Sequence, residues 1–124
     1  SFIALLSGNF WIYPQRIAQA WDATPAHIPY YAQERSAIEF LDQQGVSLDS
    51  VLTVFPSGGP IDFRELNDRR SGLSKDIALE NARCYFVSSI HNDWSDEDLD
   101  FIEAKPILWQ QRSWNGVVST IYGR

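Results

Sequence analysis

Two short loops hold the residue types that chemistry needs, Ser57-Gly58-Gly59 and His91-Asn92-Asp93. Each closes a run that reads as a buried strand, Val51 to Phe55 and Arg83 to Ile90. If these strands are parallel neighbours, both loops fall at the carboxyl edge of the sheet, where open α/β folds take ligands. Glycines there let backbone N–H groups approach a phosphate or a sugar, and the helix start after Trp94 adds a favourable dipole. Asp93, Asp96, Glu97 and Asp98 crowd that start with negative charge and oppose a phosphate. His91 beside Asp93 has the composition of a general base with an orienting carboxylate, although no nucleophile is placed by sequence. The plainer reading of the same loops is that Gly, Pro, Asn and Asp make turns and that His91 caps one.

Other chemistry has weaker footing. The chain has no G-x-G-x-x-G, P-loop, H-E-x-x-H, paired-cysteine set or G-x-S-x-G elbow. Its two histidines, His27 and His91, lie too far apart to offer a local metal spacing, and the carboxylates from Asp93 to Asp100 lack the glycine and ligand spacing of a calcium loop. No metal and no cofactor is expected. Trp94, Trp109, Trp114 and Tyr122 have the makings of a sugar-stacking platform, but aromatics on strands more often pack in a core or across a hairpin.

The elements that must position these residues follow from periodicity. Pro14 to Trp21 reads as a short amphipathic helix, broken by Thr24-Pro25 and Ile28-Pro29. A second helix is predicted from Tyr30 to Gln44, with Tyr31, Ala37, Ile38 and Leu41 facing inward, Glu34, Arg35, Glu39 and Asp42 facing water, and Gly45 as its stop. Ile61 to Arg64 is a short edge strand or a helical turn, and 67–81 a long surface loop. Ser95 is the N-cap of a helix to about residue 104, with Asp96, Glu97 and Asp98 in its first turn. Ile107 to Ser113 and Val117 to Tyr122 flank Asn115-Gly116, a hairpin signal in which both residues take positive φ. The predicted fold is a layered α/β domain. Its mixed sheet has about four or five strands, with a right-handed parallel strand-helix-strand unit and a C-terminal β-hairpin.

Composition excludes some functions and favours others. The formal charge is −6 and Lys occurs only at 75 and 105, which removes nucleic acid as a partner. The single cysteine, Cys84, cannot form an internal disulfide and reads as a small core residue. The chain has no methionine and runs from Ser1 into the apolar Phe2 to Leu6, then Phe10, Trp11 and Tyr13 where the sequence turns polar. This pattern fits the end of a membrane span with its interfacial aromatic belt. The apolar stretch is much shorter than the roughly 20 residues of a full span, and a docked N-terminal strand or helix reads the same way. Residues 1–29 are therefore expected to be a membrane-proximal connector and short helix, with Phe10, Trp11, Tyr13 and Trp21 at the membrane side. Residues 30–124 are expected to be a single α/β domain.

Gly8 to Pro14, Ile17 to Thr24, Pro29-Tyr30-Tyr31, Thr53-Val54-Phe55-Pro56 with Gly59-Pro60, and Asn92 to Leu99 together resemble the C-terminal extracytoplasmic domain of bacterial polytopic glycosyltransferases. These are similar to the dolichyl-phosphate-mannose protein mannosyltransferases. The resemblance covers nearly the whole chain, through turns and aromatics rather than catalytic residues. It implies a parent transferase that uses a lipid-phosphate sugar donor and carries its catalytic acids in an early extracytoplasmic loop, to which nothing here corresponds. This part would then be non-catalytic, on the periplasmic face of the bacterial inner membrane. Its partners would be the transmembrane part of the same polypeptide, the membrane surface, and a glycan or protein acceptor held by the two loops. The competing readings are an extracytoplasmic interaction module of another membrane protein and a stand-alone small α/β enzyme or ligand-binding protein.

Overall fold

The computed structural model describes residues 28–54, 56–58, 72–91 and 93–124. The expected helix 14–21, the membrane-side aromatics Phe10, Trp11, Tyr13 and Trp21, and the segment 61–64 lie outside the described residues. Within them the fold is α/β. A first helix, α1 (Ile28–Gln43), and a 3-10 turn, Leu48–Ser50, precede β1 (Val51–Leu52) and β2 (Cys84–Ser88). The second helix, α2 (Asp96–Glu103), and a strand pair, β3 (Ile107–Arg112) and β4 (Val118–Gly123), complete it. One four-stranded mixed sheet has the order β1-β2-β4-β3, with β1 parallel to β2 and the other pairs antiparallel. Since β2 and β3 are each antiparallel to β4, they run parallel to each other, and α2 is the crossover between them. The last strand fills the slot that the crossover leaves open.

β2 is buried at all five positions, as a strand covered on both faces must be. Cys84 and Phe86 join Tyr30, Ala37 and Leu41 of α1 in one core, together with Val51 and Ile121. Tyr85 and Val87 join Leu99 and Ile102 of α2, with Leu52, in another. The helices thus lie on opposite faces of the sheet. β1 ends the sheet order, yet Val51 and Leu52 are buried, because residues 73–75 run along its outer side. Ser74 donates its N–H to Val51 and accepts from Thr53 N–H. The predicted surface loop 67–81 therefore closes the sheet edge in its described part; of the strand expected over 51–55, Val51–Leu52 pair with β2, and Phe55 lies outside the described residues.

Three local expectations change. Pro29 sits inside the first turn of α1 instead of before the helix, where its missing N–H has no intrahelical acceptor to lose. The inward stripe is Tyr30, Gln33, Glu34, Ala37 and Leu41, one residue round from the predicted one. Tyr31 is half exposed and Glu34 is buried, because the phenol of Tyr30 finds polar partners inside. The hairpin turn is Ser113 to Gly116, closed by Gly116 N–H to Ser113 O, so Trp114 and Asn115 are its central residues. Gly116 follows at φ 94, giving a three-residue loop ending in a positive-φ glycine instead of a two-residue Asn-Gly turn. The Ser113 hydroxyl favours this form, accepting from Val117 N–H and donating to Asn115 Oδ1.

The helix ends follow expectation. Gly45, at φ 66, ends α1 with Val46 N–H to Leu41 O and Gly45 N–H to Asp42 O, and Val46 and Leu41 share the core. Ser95 caps α2 by accepting from Asp98 N–H at 3.0 Å.

Candidate functional site at the carboxyl edge of the sheet

Because β1 and β2 are parallel neighbours, the loops after them emerge on one edge and bring Ser57 and His91 together. Ser57 Oγ lies 3.0 Å from His91 Nε2. The third member, Tyr30, comes from α1 with its hydroxyl 3.3 Å from the same nitrogen and hydrogen-bonded to Ser57. All three side chains are buried. The imidazole meets the rings of Phe86 and Tyr30 edge-on, at 5.8 and 5.7 Å between centroids.

The direction of the hydrogen bonds decides what this cluster does. A tight turn, His91 N–H to Ser88 O, folds the imidazole back onto the end of β2. His91 Nδ1 then accepts from Ser88 N–H at 3.2 Å and from the Trp94 indole N–H at 3.4 Å. A neutral imidazole has one acceptor nitrogen, so the proton sits on Nε2 and points at the hydroxyls of Ser57 and Tyr30. A serine activated by histidine needs the reverse, with Nε2 accepting and Nδ1–H held by a carboxylate. Burial lowers the pKa of His91 to about 3, keeping it neutral. Asp93 is exposed and does not orient Nδ1, which is already an acceptor. His91 with Asp93 therefore lacks the arrangement of a general base and its orienting carboxylate.

Of the six loop residues, Ser57 and His91 converge, Gly58 lies under the side chain of Lys75, and Asp93 faces water. Gly59 and Asn92 lie outside the described residues. The aromatic platform does not assemble. Trp109 packs on the α1 side, Trp94 and Tyr122 on the α2 side, and Trp114 is 73% exposed in the turn. Among the described residues no group of His, Cys, Asp and Glu gathers to hold a metal, and no helix is long and apolar enough to cross a membrane.

Tyr30 is the residue that sequence reasoning missed. Its seven- and eleven-residue spacing to Ala37 and Leu41 was a signal, obscured by the polar Gln33 and Glu34 in the same stripe. Gln33 is there to bind, donating to Val117 O and accepting from the Ser119 hydroxyl, which lies 3.1 Å from Ser88 Oγ. A buried polar seam thus ties α1 to β2, β4 and the loop after β1.

Fold and site define a small mixed-sheet α/β domain whose carboxyl edge is filled by its own side chains. No protein family, curated protein or solved structure matches the chain.

Proposed function

We propose that this chain is a non-catalytic extracytoplasmic accessory domain of a membrane glycosyltransferase that uses a lipid-phosphate sugar donor, acting on the periplasmic face of the inner membrane. The observation that carries the non-catalytic part is the polarity of the His91 cluster: its Nδ1 accepts from Ser88 and Trp94, so the imidazole donates to Ser57 instead of activating it. Glycosyl transfer needs a positioned carboxylate at the acceptor and a site for the donor phosphate. The helix end nearest this edge carries Asp96, Glu97 and Asp98, which repel phosphate. The glycosyltransferase part rests on the resemblance from Gly8 to Leu99. Any contribution to acceptor binding would come from the exposed rim of the edge, Asp93 and the Gly58–Lys75 contact, since Ser57 and His91 are buried. A second reading, an interaction module of another membrane protein, is favoured by one observation: among the described residues β3 ends the sheet order and five of its six residues are exposed.

The test compares lipid-phosphate sugar turnover by the full-length protein, by the same protein lacking residues 30–124, and by the 124-residue chain alone. The isolated chain is expected to show no transfer or hydrolysis, and the deletion to lower the activity of a correctly inserted parent. Turnover by the isolated chain would refute the non-catalytic reading. Undiminished activity after deletion would show that the domain serves something other than transfer.

A further inference from the structure

Asn115-Gly116 is the one Asn-Gly pair in the chain. Such a pair is prone to cyclise on itself, because glycine has no Cβ to hinder attack by its own backbone nitrogen on the preceding side chain. In that reaction the Gly116 nitrogen loses its proton and bonds to Asn115 Cγ, and the side-chain nitrogen of Asn115 leaves as ammonia. Water then opens the five-membered imide at either carbonyl, giving aspartate or its β-linked isomer at 115. No oxidant or reductant is involved.

The closed hairpin opposes each step. Asn115 is 1% exposed, which keeps water from its side chain. Its Oδ1 accepts from the Ser113 hydroxyl, which is itself held by Val117 N–H at 3.1 Å. Gly116 N–H donates to Ser113 O at 3.2 Å, so the proton that must leave is engaged and the nitrogen is fixed in orientation. Ser113 thus holds both reacting groups, one through its hydroxyl and the other through its carbonyl. Its hydrogen bond also polarises Cγ, but this helps the attack only after the nitrogen has turned towards that carbon.

We propose that Asn115 is a modification site kept latent by Ser113: it deamidates only when the hairpin opens, and its product prevents the hairpin from reclosing in native form. An aspartate at 115 puts a carboxylate where a neutral amide was buried, at a cost in desolvation. The β-linked isomer adds a backbone atom to a three-residue loop whose glycine must keep φ 94. The disturbance reaches α1. Val117 is fully buried, and its carbonyl accepts from Ser113 N–H at 2.8 Å and from Gln33 Nε2 at 3.0 Å. A shift of Val117 therefore loosens the polar seam that ties α1 to the sheet, and a brief local opening becomes a permanent loss of stability.

The test incubates the 124-residue chain in mildly alkaline buffer and follows residue 115 by peptide mapping with mass spectrometry, the same chain in urea being the unprotected reference. Folded wild type should deamidate at least about tenfold more slowly than the reference, since exchange of a protected site requires opening. Ser113→Ala should recover most of that difference, and Ser113→Thr, which restores the hydroxyl, should stay slow. Ser95→Ala removes the cap of α2, costing about 1 kcal/mol far from the turn, and should leave the rate near wild type. The deamidated chain and Asn115→Asp should both melt at a lower temperature than wild type. Equal rates in folded and unfolded wild type, a Ser113→Ala rate no faster than wild type, or equal acceleration by Ser113→Ala and Ser95→Ala would overturn the proposed lock. An unchanged melting temperature after deamidation would overturn the irreversible part.

Discussion

The histidine at the centre of the site is held neutral by its surroundings. Tyr30, Phe86 and Trp94 surround the ring, and its two nitrogens are committed in opposite directions, Nδ1 to Ser88 and Trp94 and Nε2 to Ser57 and Tyr30. Complete burial strips the charged ring of its water, which is why its pKa falls from 6.5 to about 3. The unfolded chain binds this proton below pH 6.5 and the folded chain does not until about 3, so stability is full above 6.5 and falls as pH drops through that window. At about 1.4 kcal/mol per pH unit, the loss from pH 7 to pH 5 is about 2 kcal/mol from this group. Urea unfolding of the wild type and His91→Gln at the two pH values checks it. The variant should be less stable at pH 7 and should lack most of that decline.

Among the elements, the hairpin carries a residue that its turn geometry requires. Gly116 sits at φ 94, where a side chain collides with the backbone, most of all a β-branched one. Gly116→Val is expected to destabilise the domain by about 1 kcal/mol or more, lowering the thermal midpoint by several degrees for a domain near this size. An unchanged midpoint would mean that the loop rearranges to a different turn. Adjacent Asn115 has a different task from the one its type suggests: it is buried and joins the Ser113 hydroxyl inside the turn.

In the molecule as a whole, β2 is the strand through which the two cores meet. Cys84 lies within it, buried, paired with Val51 on one side and Gly123 on the other, and its thiol pKa is raised by burial, with Arg83 pulling the other way. A thiol reagent can reach it only when β1 or β4 separates from β2. Labelling of Cys84 in native buffer at fixed pH is therefore expected to follow global unfolding, slowing with added stabiliser. Rapid labelling independent of stability would show that β1 opens locally.

Much of this arrangement is legible in the chain. The strand at 83–90, the capped helix after Ser95, the stop at Gly45 and the carboxyl-edge meeting of the loops at 57 and 91 follow from apolar runs, caps and the topology of parallel strands, all local or pairwise rules. The rotation of α1 that buries Tyr30, Gln33 and Glu34 was not legible, because it depends on hydrogen-bond partners in β4 and in loops distant in sequence. Nor was the role of His91. Its type and its proximity to Asp93 allowed a base. Only the folded geometry, which aims the Ser88 and Trp94 N–H groups at Nδ1, fixed the tautomer and turned a candidate catalyst into an internal tie.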